Sequence, residues 1–243
     1  VNTSPATRAL RPALLLSLAL LGGAAQAAPP TVQDTMAQRM VACAVCHGPA
    51  GRAGPDGYYP RIAGKPAGYL YHQLLNFRDG RRHYGLMTQM VDRLSDDYLR
   101  EIAGYFAALE VPYPPPAPAA APAALIERGH QLVQHGDAAR GLPACVQCHG
   151  AAMTGVAPNV PGLLGLPRDY LNGQLGAWKT GQRRALAPDC MAHVAQRLAD
   201  ADVAAVSGWL AAQPVPVEAK AAAQAPAGNT LACGSAPELG GAR

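Results

Sequence analysis

Aromatic side chains are scarce in this chain: 2 Trp, 2 Phe and 9 Tyr among 243 residues. Two compact cores would normally contain more large flat bulk, so the shortage leaves room for a bulky cofactor. Charge is also sparse. Only 15% of residues are charged and the net charge is +4, which excludes a polyelectrolyte and argues against a nucleic-acid-binding surface. At 49%, the hydrophobic content excludes a wholly disordered chain. No apolar run reaches the ~18–20 residues that span a bilayer as a helix. No Ser/His/Asp set or carboxylate pair offers itself for hydrolytic or acid–base chemistry. What remains is an exported globular chain of one or two domains, whose chemistry lies in 6 cysteines.

Residues 1–27 read as a secretory signal. Arg8 and Arg11 form a basic start, Ala13 to Leu21 an apolar stretch, and Ala25-Gln26-Ala27 a small-residue cleavage site. The alternative for this segment is an uncleaved membrane anchor. Export to the periplasm places the thiols in an oxidising compartment.

The rest of the chain repeats itself. Cys43-Ala44-Val45-Cys46-His47-Gly48 recurs 102 positions later as Cys145-Val146-Gln147-Cys148-His149-Gly150. Tyr69, Gln73, Phe77, Gly80 and Arg82 match Tyr170, Gln174, Trp178, Gly181 and Arg183 at an offset of 101. Met87, Arg93, Leu94 and Tyr105 match Met191, Arg197, Leu198 and Trp209 at an offset of 104, the change falling in a loop. The expected organisation is a signal over 1–27, a first domain over 28–111, a Pro/Ala-rich connector over 112–123, and a second domain over 124–213. Residues 214–243 form a low-complexity tail, expected to be mobile.

Apolar spacing within each unit is helical. Tyr69, Gln73 and Phe77 share one stripe, as do Leu99, Ile102, Phe106 and Leu109, with Val203, Val206 and Leu210 in the second copy. Ser95-Asp96-Asp97 and Asp200-Ala201-Asp202 supply N-cap chemistry. Pro- and Gly-rich stretches 48–68 and 150–167 read as loops, and no segment reads as a strand. The fold class is all-α.

Cys-x-x-Cys-His has three readings: a redox disulfide, half a zinc site, or covalent haem attachment. Chance at this composition gives about 0.004 matches per chain, so two matches inside a repeat favour haem attachment at Cys43, Cys46, Cys145 and Cys148. His47 and His149 then turn their imidazoles to the iron. The opposite face of an electron carrier's iron is usually filled by methionine sulfur. Met87 and Met191 sit 40 and 42 residues after their histidines and match in the repeat; Met90, opposite Val194, is the competing choice in the first copy. Met36 and Met40 read as core, and Met153 lies too near His149 to reach the far face. The carbonyls of Pro60 and Pro161 are candidate acceptors for the second ring nitrogen of each histidine. Arg82 and Arg183 are candidate donors to haem propionates, with a solvated basic loop as the alternative.

Cys190 and Cys233 remain once four cysteines hold haem. An even pair in an oxidising compartment most simply forms a disulfide; free thiols and Cys190 as an iron ligand are the alternatives.

At ACAVCHG, YPRIAGKPAGYL-x-x-QL-x-x-FRDG-x-R and M-x-x-x-x-x-RLSDDYL-x-x-IAGYFAAL, and at their second copies, the sequence resembles the dihaem cytochrome c4 family of class I c-type cytochromes. The likeness runs to about Gln213; Cys190 and the tail with Cys233 depart from it. The resemblance implies two helical domains with two His/Met-ligated haem c groups and a periplasmic electron carrier, not an enzyme. Its partners would be redox proteins such as a membrane terminal oxidase. The alternatives are a dihaem oxidoreductase acting on a sulfur compound, kept open by Cys190, and a haem subunit of a membrane complex.

Overall fold

The computed structural model describes residues 33–54, 56–116, 118 and 121–240. The signal segment over 1–27 lies outside these residues. In the first repeat the helices are α1 (Met36–Arg39), α2 (Val41–His47), α3 (Ala67–Arg78), α4 (Gly85–Val91) and α5 (Asp96–Ala107). In the second they are α6 (Ala123–His135), α7 (Val146–His149), α8 (Arg168–Lys179), α9 (Cys190–Arg197) and α10 (Asp200–Ala211). From Thr35 on, both repeats belong to one compact unit. Among the described residues no helix is long and apolar enough to cross a membrane.

The helical stripes bury as their spacing requires. Leu99, Ile102 and Phe106 of α5 pack with Leu70 and Phe77 of α3. Leu132 and Val133 of α6 pack with Val206 and Leu210 of α10 and Leu171 of α8. Helices α6 and α10 cross so closely that a Cβ at Gly129 would sit 2.2 Å from the Ala205 carbonyl oxygen. Only glycine fits there. Met40 and Met153 are core residues, at 4% and 2% exposure, and Met36 packs against the first core.

Caps follow the sequence in part. The Ser95 hydroxyl accepts the Tyr98 N–H at 3.2 Å. In α10 the N-cap is Ala199, one residue earlier than the acidic run suggests, and Asp202 reaches back to accept the Ala199 N–H at 3.2 Å. Asp189, not singled out in the sequence, caps α9 by accepting the Ala192 N–H at 3.0 Å.

Two expectations change. The loop over 150–167 contains a small antiparallel pair, β1 (Gly155–Val156) with β2 (Val160–Pro161), where no strand was expected. These strands are two residues long, below what alternating periodicity reveals. The tail is also packed, not free. Ala222 bridges to Val156, with its N–H on the Gly155 carbonyl at 2.9 Å. Asn229 bonds the Leu231 and Leu239 carbonyls, and Ala236 and Leu239 bury against Val156 and Val160. A few apolar anchors and one cross-link hold a segment whose composition looks structureless.

Candidate functional site

His47 closes α2 and His149 closes α7. Each is followed by a glycine at positive φ, Gly48 at 74° and Gly150 at 82°. A Cβ at Gly48 would lie 2.2 Å from the Ala53 carbonyl oxygen, so the tight turn requires glycine. The chain then returns to lay a proline carbonyl on each ring. His47 Nδ1–H donates to Pro60 O at 2.8 Å, and His149 Nδ1–H to Pro161 O at 2.8 Å. That bond fixes the tautomer and leaves Nε2 as the lone-pair nitrogen. Burial pushes both imidazoles below the usual histidine range, favouring the neutral ring that binds metal.

Cys43, Cys46, Cys145 and Cys148 are not in disulfides. Burial raises the Cys43 and Cys148 thiols and pushes Cys145 up to about 12. Each Cys-x-x-Cys-His segment lines a mostly apolar cavity. The first is lined by His47, Phe77, Met87 and Met90, the second by His149, Trp178 and Met191. Met90 is 50% exposed, whereas its counterpart Val194 packs on the second core. Among the described residues no three His, Cys, Asp or Glu side chains converge as metal ligands.

Arg82 and Arg183 do not behave as a solvated basic loop. Arg82 Nη1 donates to Gln73 Oε1 of its own repeat at 3.0 Å, and its Nη2 to Gln174 Oε1 of the other at 2.6 Å. Arg183 mirrors this with Gln174 at 2.7 Å and Gln73 at 3.0 Å. Their guanidiniums stack on Phe77 and Trp178, at 4.5 and 3.8 Å from the ring centroids. Neither forms an ion pair with a described carboxylate, and burial together with Arg82 lowers the Arg183 pKa. Trp178 Nε1–H, on the wall of the second cavity, is buried without a hydrogen-bond partner. A haem fits these features. Its macrocycle would fill an apolar cavity, and its propionates would meet cations that no described carboxylate pairs and an orphan donor.

Reading the sequence missed the glutamine pair and the Tyr69 and Tyr170 hydroxyls, which take further bonds from Arg183 and Arg82 at 3.4 Å. Their recurrence at one offset was the available signal. Cys190 and Cys233 are bonded, with an S–S distance of 2.01 Å. In that bond the Cys190 sulfur is not free to ligate iron.

No family model matches the chain. It is 39% identical over 201 residues to a thiosulfate dehydrogenase electron acceptor of Thiomonas intermedia (strain K12), covering 83% of this chain and 91% of that one. It is 32% identical over 199 residues to cytochrome c4 of Pseudomonas aeruginosa, covering 81% and 94%. Reduced recombinant cytochrome c4 from Pseudomonas stutzeri matches it with a TM-score of 0.61 and 30% identity, covering 72% of this chain and 94% of that structure. With the repeated haem-attachment geometry, these matches establish that the chain belongs to the cytochrome c4 family of dihaem c-type electron carriers.

Proposed function

We propose that the chain carries single electrons in the periplasm from a thiosulfate-oxidising dehydrogenase to a membrane respiratory complex such as a terminal oxidase. The observation behind the donor is the 39% identity to the Thiomonas electron acceptor over most of both chains. The carrying units are domains 28–111 and 124–213, joined by connector 112–123. Cys43 and Cys46, and Cys145 and Cys148, would hold the two haems through thioether links, and His47 with Met87 and His149 with Met191 would supply the iron ligands. When bound, haem supplies the one-electron couple, and a thioether ligand favours its ferrous state.

The residues of the chain do the rest. Pro60 and Pro161 hold each histidine at a fixed angle. Met87 and Met191, at matching repeat positions and each on its cavity wall, would supply the sixth ligands and leave no open site for a substrate. Arg82 and Arg183 would donate to propionates, and the shared glutamines tie the two repeats together.

The test mixes the purified ferric chain with thiosulfate and a purified thiosulfate dehydrogenase and follows the haem absorption bands. Full reduction at catalytic dehydrogenase concentration is expected. Reduction no faster than with thiosulfate alone would exclude this donor.

A further inference from the structure

Lys65 has no role in the chemistry described so far, yet it is one of the most enclosed charged residues in the molecule, at 5% exposure. Its stem lines the first cavity, and its ammonium crosses to the second repeat, donating to Gly162 O at 2.9 Å. Gly162 lines the second cavity and directly follows Pro161, whose carbonyl holds the His149 ring. Lys65 thus reaches from one repeat to the loop that orients the other's histidine.

The charged neighbour of Lys65 is Arg61. Arg61 lies on the same loop, buried, stacked at 3.8 Å on Tyr113 and bonded to the Val111 and Pro112 carbonyls. The Tyr113 ring lies 6.0 Å from Lys65 Nζ. Loop 160–166 offers no ionisable side chain. His149 stands beyond it, its ring held on Pro161 O. No described carboxylate pairs with Lys65. The matching position in the second copy is Leu166, so the repeat itself carries no charge there.

We propose that Lys65 is a positioning residue for the second redox site, whose buried positive charge raises the reduction potential of the haem at His149. When a ferric iron gains one electron, the local charge falls by one, so a fixed cation nearby favours the ferrous state. The electron comes from the redox partner, and no bond is made or broken. Because Lys65 is buried, the interaction is weakly screened. The inference rests on both sites carrying haem. Burial, reinforced by Arg61, brings the Lys65 amine down to about 7, so its charge is present below that pH and lost above it.

The experiment is a potentiometric titration of the holoprotein and of Lys65→Leu and Lys65→Gln. The two haems are distinguished by NMR contacts to Phe77 and Trp178, and haem content is checked by mass. Leu installs the residue of the second repeat; Gln keeps a donor for Gly162 but removes the charge. In both variants the ferrous-to-ferric ratio of the second haem, at its parent midpoint, should fall three- to tenfold, a downward shift of up to about 59 mV. The fall of the parent potential as pH rises through about 7 should be smaller in both variants. Two haems with an unmoved second potential would overturn the proposal. So would parental behaviour in Lys65→Gln, which would assign the effect to the hydrogen bond alone. Fewer than two haems in the parent would instead contradict the reading of the sites, and this inference with it.

Discussion

Arg82 and Arg183 face each other across the junction of the repeats as an antiparallel backbone bridge, and each guanidinium bonds the glutamine of both copies. On either side, His83 N–H donates to Gln182 O at 2.8 Å and Arg184 N–H to Arg81 O at 2.7 Å. A duplicated sequence has thus become a pseudo-twofold contact. Arg183 is the more deeply placed, at 5% exposure. Arg183→Met removes three charge-assisted hydrogen bonds to half-buried partners and should cost about 2–3 kcal/mol in guanidinium-induced unfolding. Arg82→Met, at the half-buried member, should cost less.

Met87→Ala should remove the sixth ligand of the first haem, and Met90→Ala should leave it in place. Met87 shares its repeat position with Met191, and Met90 is half exposed. The near-infrared methionine-to-ferric-iron band reads this directly. Its loss for the first haem in the Met90 variant alone would reverse the assignment.

Cys233→Ser should loosen the tail and the helix that begins at Cys190. The bond closes 43 residues, and the chain-entropy treatment assigns about 3–4 kcal/mol to a loop of this size. Denaturant unfolding of the oxidised parent and the variant measures the difference. In the variant, exogenous imidazole should also displace Met191 more readily than Met87.

The attachment motifs, the repeat and the helical stripes were legible because each rests on local chemistry or fixed spacing. The carbonyls of Pro60 and Pro161 were legible for the same reason, since the repeat placed them at nearly equal distance from their histidines. The packed tail was not, because Asn229, Ala236 and Leu239 gain meaning only from the surface they meet. Lys65 was hidden for a related reason: its partner, a backbone carbonyl 97 residues away, leaves no mark in the sequence. Arg183 was half legible. Its recurrence was visible, but its burial depends on the other repeat.

Acid should weaken the second repeat through Asp202. Burial raises its pKa, but hydrogen bonds from Arg140 at 2.6 Å, Arg128 at 3.1 Å and the Ala199 N–H outweigh this and hold it below the usual carboxylate range. A carboxyl with a depressed folded pKa stabilises above its unfolded value, about 3.9, and that contribution is lost as pH falls through the folded value. Thermal melting should therefore drop below about pH 4, and Asp202→Asn should flatten that drop. The variant should lose about 2 kcal/mol at pH 7.

The dihaem carrier assignment is tested most directly by a reductive titration of the purified chain, followed optically and counted in electrons. Two electrons per chain are expected, taken up reversibly, with both haems low-spin and six-coordinate in either oxidation state. Uptake of one electron, or a high-spin ferrous haem that binds carbon monoxide at once, would contradict it.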